Sequence, residues 1–419
     1  MGTLSVKNVR VVMSSLARTQ ARRRMAVIAG SALLFSLFSA GADVVFPLWV
    51  TGSLGFTPAE WAHLRSLRMV GVLVGVVVLG ALSDRFGERA IGALSMVGIA
   101  CMLIALALRG GGGLWVAMPF YGAFVSTAFV NLNSLTQVIS ERRQGAANSV
   151  YRCVGAAAGV VAPLLVTRLA VVWNGYPAVL LALAACLVGA AVVLVRYPVR
   201  TEPRPLAGLR AELALQWASY RSAVRERPLM RAIHLQQAWG ASLAAVGTFI
   251  AIRFTRELGL ADEQFGALCT VGGVLGFVAT ALVGLVLDRA SLRRLCAVAG
   301  CLAGLCSVVM GVSDSAWLTV VGFLAYAPVS AMLIAPQSMW VSRAAGSATQ
   351  AAAFSVHKAV TAAYYAGAVW LLGVLEAMIG IRLILLYSGI MAALLGLLFL
   401  ALREPRRPAQ PPVTSVSPS

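Results

Sequence analysis

The chain has 419 residues, of which 60% are hydrophobic and only 12% are charged, and its mean hydropathy is +0.85. Soluble domains carry about 25% charged residues, so this composition excludes a soluble enzyme and indicates an integral membrane protein. The net charge of +19 would suit nucleic-acid binding, but no run of Lys and Arg alternates with aromatic residues. We therefore interpret the charge as a signal of membrane topology and expect no nucleic-acid partner.

Apolar windows of about 20 residues, long enough to cross a ~30 Å hydrocarbon core, predict twelve transmembrane spans. In chain order these spans cover residues 25–50, 61–82, 91–108, 114–139, 147–172, 177–196, 232–253, 263–287, 295–313, 316–341, 353–375 and 379–402. The sequence therefore predicts an all-α integral membrane protein with six spans on each side of its middle.

The spans divide the chain into five segments. We expect a basic N-terminus (1–24), a six-helix bundle (25–196), a central loop with an amphipathic helix (197–231), a second six-helix bundle (232–402) and a disordered tail (403–419). Most Lys and Arg residues lie in the termini and in alternate loops, and this excess marks the cytosolic side. The prediction is a multi-pass protein of the cell inner (plasma) membrane with both termini in the cytosol.

The two halves of the sequence repeat each other. Gly80 to Arg85 (GALSDR) returns as Gly284 to Arg289 (GLVLDR), 204 residues later, and Ser149 to Arg152 (SVYR) returns as Ser355 to Lys358 (SVHK), 206 residues later. Internal repeats of membrane segments are typical of transporters, in which the substrate site lies between the repeated units.

Charged residues inside the first two spans indicate where a proton could act. Asp43 lies in span 1, and Arg65 and Arg68 lie in span 2. A charge at mid-bilayer costs ~2.5–3.5 kcal/mol on insertion scales, so such residues usually have a function. We expect Asp43 to pair with Arg65 or Arg68 near an outer gate, and protonation of Asp43 to break the pair. The alternative is that all three side chains reach the outer membrane interface.

Arg152 and Lys358 occupy related positions of the repeat, a short distance inside the cytosolic ends of spans 5 and 11. Two cations that face a cavity without a matching acid can hold an anionic group or donate to sugar hydroxyls. The alternative is that both side chains extend to the cytosolic headgroups.

The Cys, His and Gly residues do not form the motifs of a metal site or a phosphate-binding loop. The seven Cys residues include no CxxC pair, and the three His residues lie far apart, so no metal site is predicted. The glycine run 110–113 lacks the Lys and Ser/Thr of a phosphate-binding loop. We expect no enzymatic activity and no cofactor, and transport driven by an ion gradient.

A charged motif with the pattern Gly-x-x-x-Asp-Arg-x-Gly-x-Arg lies between spans 2 and 3. Its residues are Gly80, Asp84, Arg85, Gly87 and Arg89, with Asp288 and Arg289 at the repeated position. The glycines permit a sharp turn and a close helix approach, and the Asp accepts hydrogen bonds from Arg side chains. Such a cluster can hold one end of a transporter closed and release it in another state. The alternative is a solvated turn.

Twelve spans in two repeated sets of six, a basic central loop and this motif together resemble the major facilitator superfamily over nearly the whole chain. The resemblance implies two pseudo-symmetric six-helix bundles, alternating access and a monomer. The sequence departs from the family motif at Glu88, which displaces the usual second basic residue, and the second copy lacks the later Gly.

In this superfamily spans 1, 4, 7 and 10 line the central cavity, and here they carry amide side chains that suit hydroxyl-rich ligands. The substrate-binding candidates are Asn131, Asn133, Gln137, Arg152, Gln236, Gln237, Trp239, Gln337, Lys358, Tyr364 and Tyr365, with His234 among them. The aromatic members can stack on a sugar face or on an apolar drug. For each single residue the alternative is a hydrogen bond between helices.

Span 5 is similar to the sugar efflux transporter group, since Ser149 to Arg152 is followed by Pro163, eleven residues after the Arg. In that group a Gly precedes the Pro, and here Ala162 replaces it. Gly155 to Pro163 loosely resembles the antiporter motif of drug exporters, and Asp43 to Pro47 looks like the Asp-x-x-x-Pro of multidrug antiporters. Against a simple drug exporter, span 4 lacks the Arg that many family members carry.

These observations predict a secondary transporter for a small molecule. The first hypothesis is proton-coupled efflux of a sugar-like or other small amphiphilic compound. The alternatives are an organic-anion (carboxylate) transporter or exchanger, and a multidrug exporter.

Overall fold

The computed structural model describes residues 6–138, 144–196, 224–286, 290–344 and 350–402, together with 214, 217, 218, 221 and 222. Over these residues the chain is helical and contains no strand. The helices of the N-terminal half are α1 (Val6–Leu48), α2 (Pro58–Val74), α3 (Gly80–Phe86), α4 (Glu88–Arg109), α5 (Leu114–Val138), α6 (Gln144–Val172) and α7 (Tyr176–Val195). Wider π-helical turns continue α1 over Trp49–Ser53 and join α2 to α3 over Gly75–Leu79.

The C-terminal half follows the same plan. Its helices are α8 (Arg227–Ser242), α9 (Ala244–Ile252), α10 (Asp262–Val286), α11 (Leu292–Val312), α12 (Ala316–Ala344) and α13 (Gln350–Leu398). A π-helical turn continues α9 over Arg253–Glu257, and non-helical backbone at Gly380 divides α13 into a first and a second arm.

Nine helical segments among the described residues are long and apolar enough to cross a membrane. Two of these segments, Glu88–Leu135 and Val356–Ala401, each contain two helices, which meet at the glycine turn 110–113 and at Gly380. With α2 and its continuation as a further helical segment, the described chain is consistent with the twelve predicted spans.

The backbone confirms the internal repeat. Where α1 ends, the Leu54 N–H donates to the Trp49 carbonyl at 3.0 Å, and where α9 ends, the Leu258 N–H donates to the Arg253 carbonyl at 3.0 Å. These pairs are separated by 204 residues, the same offset as the Asp-Arg motif in the sequence. The two halves therefore share backbone geometry at a position where their side chains differ.

The loops that follow repeat as well. Gly55 and Gly259 both have positive φ, 73° and 70°, a conformation that favours glycine. In the next turn the Thr57 N–H donates to Glu60 Oε2 at 2.8 Å, and the Ala261 N–H donates to Gln264 Oε1 at 2.9 Å. Each side chain satisfies a free donor at the start of a helix. We call the end of the protein that carries these two loops the distal end, and the end where α1 begins the proximal end.

The halves meet along two seams. Within the N-terminal half α1 packs on α6 and α7, and α4 packs on α5 and α7; within the C-terminal half α11 packs on α12 and α13. Between the halves, α2 packs on α13 and α6 packs on α10. The repeat relates these two seams, because α10 is the counterpart of α2 and the first arm of α13 is the counterpart of α6.

Several helices extend beyond the predicted spans. The helix of the first span begins at Val6 and includes much of the basic N-terminus. The helix of the seventh span begins at Arg227, inside the expected central loop, and is interrupted at Leu243. Hydropathy marks only the part of a helix that lies in lipid, so helical continuations beyond the membrane escape it. Most of the expected central loop and the whole tail lie outside the described residues.

Candidate functional site

An ion pair joins α1 and α2 toward the distal end of the protein. Arg68 Nη1 donates to Asp43 Oδ1 at 2.7 Å, and the Arg68 guanidinium carbon lies 5.0 Å from the centre of the Tyr121 ring. The Arg68 side chain is 14% exposed, whereas that of Asp43 is 54% exposed. The structure pairs Asp43 with Arg68, and the Asp43 carboxylate is the more exposed member of the pair.

The second arginine of α2 reaches the other half of the protein. Arg65 Nη1 donates to the backbone carbonyl of Gly247 in α9. A Cβ built on Gly247 would lie 3.1 Å from Arg65 Nη2, so the glycine leaves room for the guanidinium. Gly247 follows Asp43 by 204 residues and is its counterpart in the repeat. The two arginines of α2 therefore contact equivalent positions, one in each half.

Further contacts along α2 close the distal end. Trp61 Nε1 donates to the Thr248 carbonyl at 3.0 Å, and Ser66 Oγ donates to the Ala366 carbonyl at 2.8 Å. Gly373 in α13 packs so closely on α2 that a built Cβ would lie 3.0 Å from the Ala62 Cβ. Backbone carbonyls of the C-terminal half thus accept hydrogen bonds from side chains of the N-terminal half.

The seam between α6 and α10 is closed at the same end. The Tyr176 hydroxyl, at the start of α7, donates to the Asp262 carboxylate. Deeper in this seam a Cβ built on Gly266 would overlap Thr167 Oγ1 and lie 2.9 Å from the Pro163 carbonyl oxygen. Small residues at such a crossing let two helices from different halves approach closely.

Polar side chains of α8 and α13 meet inside the C-terminal half. His234 Nδ1 lies 3.1 Å from the Tyr364 hydroxyl, and Gln237 Nε2 lies 3.3 Å from His357 Nδ1. The structure therefore brings together several predicted substrate-binding residues, His234, Gln237 and Tyr364, and adds His357. Their hydroxyl, amide and imidazole groups can donate to or accept from a ligand.

Lys358 lies on the same arm of α13 and faces the other half. Its Nζ lies 5.5 Å from the centre of the Phe129 ring of α5, and its side chain is exposed. Near this level Asn133 Nδ2 donates to the Phe129 carbonyl of its own helix at 2.9 Å. Lys358 is therefore a cation whose described contact is an aromatic ring.

Other predicted substrate residues lie within the bundles. Asn131 is 1% exposed and donates to Ser83 Oγ at 3.0 Å. Its amide therefore forms a hydrogen bond between helices, the alternative to ligand contact. Trp239 is 5% exposed and packs on α11, where a Cβ built on Gly300 would lie 3.0 Å from its Nε1. The structure does not bring these two side chains to the space between the halves.

Two glutamines have buried amide atoms without described partners. Both amide atoms of Gln236 and the Nε2 of Gln337 are buried and lack a hydrogen-bond partner among the described residues. Buried amides without partners are costly, which makes these residues candidates for ligand contact. Tyr365, which follows Tyr364 on α13, lies against α8, with its hydroxyl 3.1 Å from a Cβ built on Gly240.

The charged motif at the proximal end is only partly described. Gly87 has φ 91° and forms the turn between α3 and α4, as its sequence position predicts, and Arg85 lies over the Phe86 ring. Arg89 lies in the first turn of α4. Gly80 is the first residue of α3. The side chains of Asp84, Gln137 and Arg152 and the whole of Asp288 and Arg289 lie outside the described residues.

Sequence reasoning missed Tyr121 and Gly247. The Arg68 guanidinium lies over the Tyr121 ring. Single tyrosines within apolar spans carry no pattern that sets them apart. Gly247 could have been identified from the sequence, because it follows Asp43 by the repeat offset of 204 residues. Within the described residues no group of three or more His, Cys, Asp or Glu can hold a metal ion.

Two repeated halves of membrane-spanning helices, with charged and polar side chains at the boundary between them, define a membrane transporter. The chain belongs to the Major Facilitator Superfamily, whose family model matches residues 28–360. The predicted fold class is thereby confirmed, and the protein is a transporter and not an enzyme.

Solved transporters share this fold. A nucleoside transporter, NupG, superposes with a TM-score of 0.75 at 12% identity and covers 90% of this chain and 98% of its own. A POT family transporter in complex with 5-aminolevulinic acid has a TM-score of 0.74 at 14% identity, covering 90% of this chain and 95% of its own. A peptide transporter POT in complex with sulfate has a TM-score of 0.74 at 16% identity, covering 90% and 94%. No curated protein sequence matches the chain significantly.

Proposed function

We propose that the protein is a proton-coupled transporter that exports a sugar-like or other small amphiphilic compound by alternating access. The observation that carries this proposal is the double contact of α2, whose Arg68 pairs with Asp43 in one half while Arg65 bonds to Gly247 in the other. A change at Asp43 is thereby connected to a bond that holds the two halves together.

The coupling step follows from the charges of this cluster. Protonation of Asp43 removes the only carboxylate that the described residues offer to Arg68, and so weakens the ion pair. Arg65 and Arg68 lie three residues apart on one helix face, and without the carboxylate their repulsion is no longer offset. The Arg65 side chain is then displaced, its bond to Gly247 is lost, and the distal end opens.

In this proposal the substrate binds between the two halves, on the proximal side of the gate. The side chains of His234, Gln237, His357 and Tyr364 supply donors and acceptors for the hydroxyl groups of a sugar-like ligand. NupG, a nucleoside transporter, shares the fold, and nucleosides carry a hydroxylated sugar. The span-5 similarity to sugar efflux transporters supports the same substrate class.

The remaining parts of the proposal concern topology. We assign the proximal end to the cytosol, because α1 begins there and the sequence predicts that the basic N-terminus, alternate loops and the C-terminus share one side. The distal closure then corresponds to a state open to the cytosol. The protein functions as a monomer in the cell inner membrane, with bundles at 25–196 and 232–402 and a central loop between them.

Reconstitution into proteoliposomes tests the proposal. With an acidic interior, vesicles in which distal ends face inward should accumulate labelled neutral glycosides, and collapse of the pH gradient should abolish the accumulation. Asp43→Asn should lose gradient-driven accumulation but retain exchange of one glycoside for another. Arg382→Gln, which removes a distal charge paired with Asp314, is the matched control and should behave like the wild type. Accumulation that ignores the pH gradient, or no glycoside flux at all, would contradict the proposal.

A second candidate, an organic-anion carrier, is favoured by one observation. Lys358 is exposed toward the other half and its described contact is the Phe129 ring instead of an acid. Flux of small carboxylates without flux of glycosides would identify this function.

A further inference from the structure

A helix lies in the chain that connects the two halves. The described residues between Ala214 and Arg225 are helical. Glu226 then has non-helical backbone, with φ −75° and ψ 89°, and α8 begins at the next residue. Because α7 ends at Val195 and α8 begins at Arg227, the connecting chain lies at the proximal end of the protein. We call the helical residues from Ala214 to Arg225 the linker helix.

The linker helix ends beside the membrane. The apolar segment that is able to cross a membrane in α8 begins at Leu229, four residues after Arg225. Four residues of fully extended chain span at most ~14 Å. The headgroup layer on each side of a ~30 Å hydrocarbon core is itself ~5–8 Å thick. Arg225 therefore lies within reach of the headgroups on the proximal side.

One face of the linker helix is exposed and combines apolar with cationic side chains. Trp217 is 58% exposed and Val224 is 51% exposed. They are seven residues apart and so lie on the same side of the helix. Arg221 lies between them, with its guanidinium carbon 5.6 Å from the centre of the Trp217 ring, and Arg225 follows one turn later and is exposed. Exposed apolar side chains beside cations are typical of helices that lie in a membrane interface.

The two arginines of this face form no ion pair among the described residues. A concavity of about 720 Å³ lies against them, and its lining includes Trp217, Arg221, Arg225 and Glu226. This volume is that of an ordinary ligand site, and two cations face it beside one carboxylate. The whole connecting segment, residues 196–231, contains eight Arg and three Glu. The surface therefore attracts anions.

We infer that the linker helix binds anionic phospholipids of the leaflet on the proximal side, with Arg221 and Arg225 on lipid phosphates and Trp217 between headgroups and acyl chains. A guanidinium donates two parallel hydrogen bonds to a phosphate, and Trp is suited to the membrane interface. A lipid surface is favoured over a protein partner because α8 enters the membrane four residues after Arg225. This surface lies outside the distal gate, and its ligand is the same whichever compound is transported.

Quenching of Trp217 fluorescence by brominated lipids tests this assignment in the reconstituted full-length protein. The vesicles contain equal amounts of phosphatidylglycerol and phosphatidylcholine, and one of the two carries bromine near the headgroup end of its acyl chains. The chain has nine Trp residues, so the Trp217 signal is the difference between each protein and its Trp217→Phe version. Arg221→Gln combined with Arg225→Gln removes the two charges. Arg293→Gln combined with Arg294→Gln is the matched control, since it removes two exposed arginines at the start of α11, at the same end of the protein.

We expect brominated phosphatidylglycerol to quench Trp217 more strongly than brominated phosphatidylcholine in the wild type and in the control. The preference should fall by about fivefold or more in the variant without Arg221 and Arg225, since one arginine near an anionic surface strengthens attraction about fivefold. High salt should weaken the preference. Arg221→Gln and Arg225→Gln are also measured singly, and each should lose part of the preference, which keeps the test decisive if the double variant fails to fold.

Equal quenching by the two lipids would overturn the inference, because the helix would then lie in the interface without selecting charge. Absence of quenching by either lipid would also overturn it and would assign the exposed face to a protein partner. So would an equal loss of preference in the control, since the preference would then reflect the total charge of the proximal end. Inorganic phosphate that abolishes the preference, where chloride at equal ionic strength does not, would identify free phosphate as the ligand instead of lipid. Glycoside flux is measured separately, so failure here leaves the proposed function intact.

Discussion

Replacement of Gly266 by alanine should open the distal end without unfolding the protein. Gly266 lies where α10 crosses α6, and these helices belong to different halves. A Cβ there would overlap Thr167 Oγ1 and lie 2.9 Å from the Pro163 carbonyl oxygen. Thr167 is fully buried and its hydroxyl donates to that carbonyl at 3.0 Å, so its side chain has no free space to move into. The added methyl group therefore pushes the two helices apart.

The size of the effect follows from the cost of overpacking. Extra methyl groups in a closely packed site cost about 1–3 kcal/mol. In the proposed alternating-access cycle α6 and α10 separate when the distal end opens, so this cost falls on the distal-closed state alone. The equilibrium should move toward the open state by about 5- to 150-fold. By contrast, Gly304→Ala places a Cβ 2.6 Å from backbone atoms of Ala393 and Gly389 within one half, so it should lower the stability of both states.

Alkylation of a reporter cysteine measures the open population. Ser66 is buried between α2 and α13 when the distal end is closed, so Ser66→Cys should react with a membrane-impermeant maleimide only on opening. Because the chain has seven native Cys residues, the alkylation rate of the same protein without the Ser66→Cys reporter is subtracted. Gly266→Ala should accelerate the reaction, and Thr167→Ala in that background should restore part of the slow rate by removing the overlap. An unchanged alkylation rate in a folded Gly266→Ala protein would refute the reasoning, as would a loss of melting temperature as large as that of Gly304→Ala.

Three further changes test neighbouring contacts. Trp61→Phe removes the indole donor to the Thr248 carbonyl, and we expect alkylation of the Ser66→Cys reporter to rise by about fivefold, the equivalent of ~1 kcal/mol. Tyr176→Phe removes the hydroxyl that donates to the Asp262 carboxylate, and because the acceptor is charged the same rate should rise by about tenfold or more. Thr57→Ala removes the capping box of α2, so the free energy of unfolding should fall by ~1 kcal/mol and the melting temperature should fall with it. The alkylation rate should stay unchanged. Equal rates in all three variants would show that these bonds do not hold the distal end closed.

The fold was predictable from sequence because the bilayer constrains it strongly. Apolar length and the repeat of the Asp-Arg motif predicted paired sets of helices, and the offset of 204 recurs in the backbone bonds at Trp49 and Arg253. The boundaries were less predictable, since Val6 and Arg227 begin helices whose first turns lie outside the most apolar windows. A helix can continue into water wherever its backbone bonds are satisfied, and hydropathy does not detect this.

The charged residues of the candidate site were predictable from sequence, because charged residues are rare in apolar spans. Asp43 and Arg68 stand out because ions in apolar spans are expensive, and their pairing followed from helix geometry. The role of Arg65 as a bridge to the other half was not predictable, because its acceptor is a backbone carbonyl, which every residue has. Trp239 shows the opposite failure, since a large aromatic residue in a span satisfies core packing as well as ligand stacking, and here it packs in the core.

The repeat also bears on the proposed mechanism, in which a single carboxylate controls both halves. After duplication the two helices that face α2 present equivalent positions, Asp43 in α1 and Gly247 in α9. If both positions carried a carboxylate, Arg65 and Arg68 would form two similar ion pairs, and protonation of either would leave the other to hold the gate. With glycine at the second position, Arg65 bonds to a backbone carbonyl that cannot be protonated, while a titratable carboxylate remains only in α1. In the proposed mechanism, loss of symmetry at this one position therefore turns a structural repeat into a gate with one proton-sensitive side.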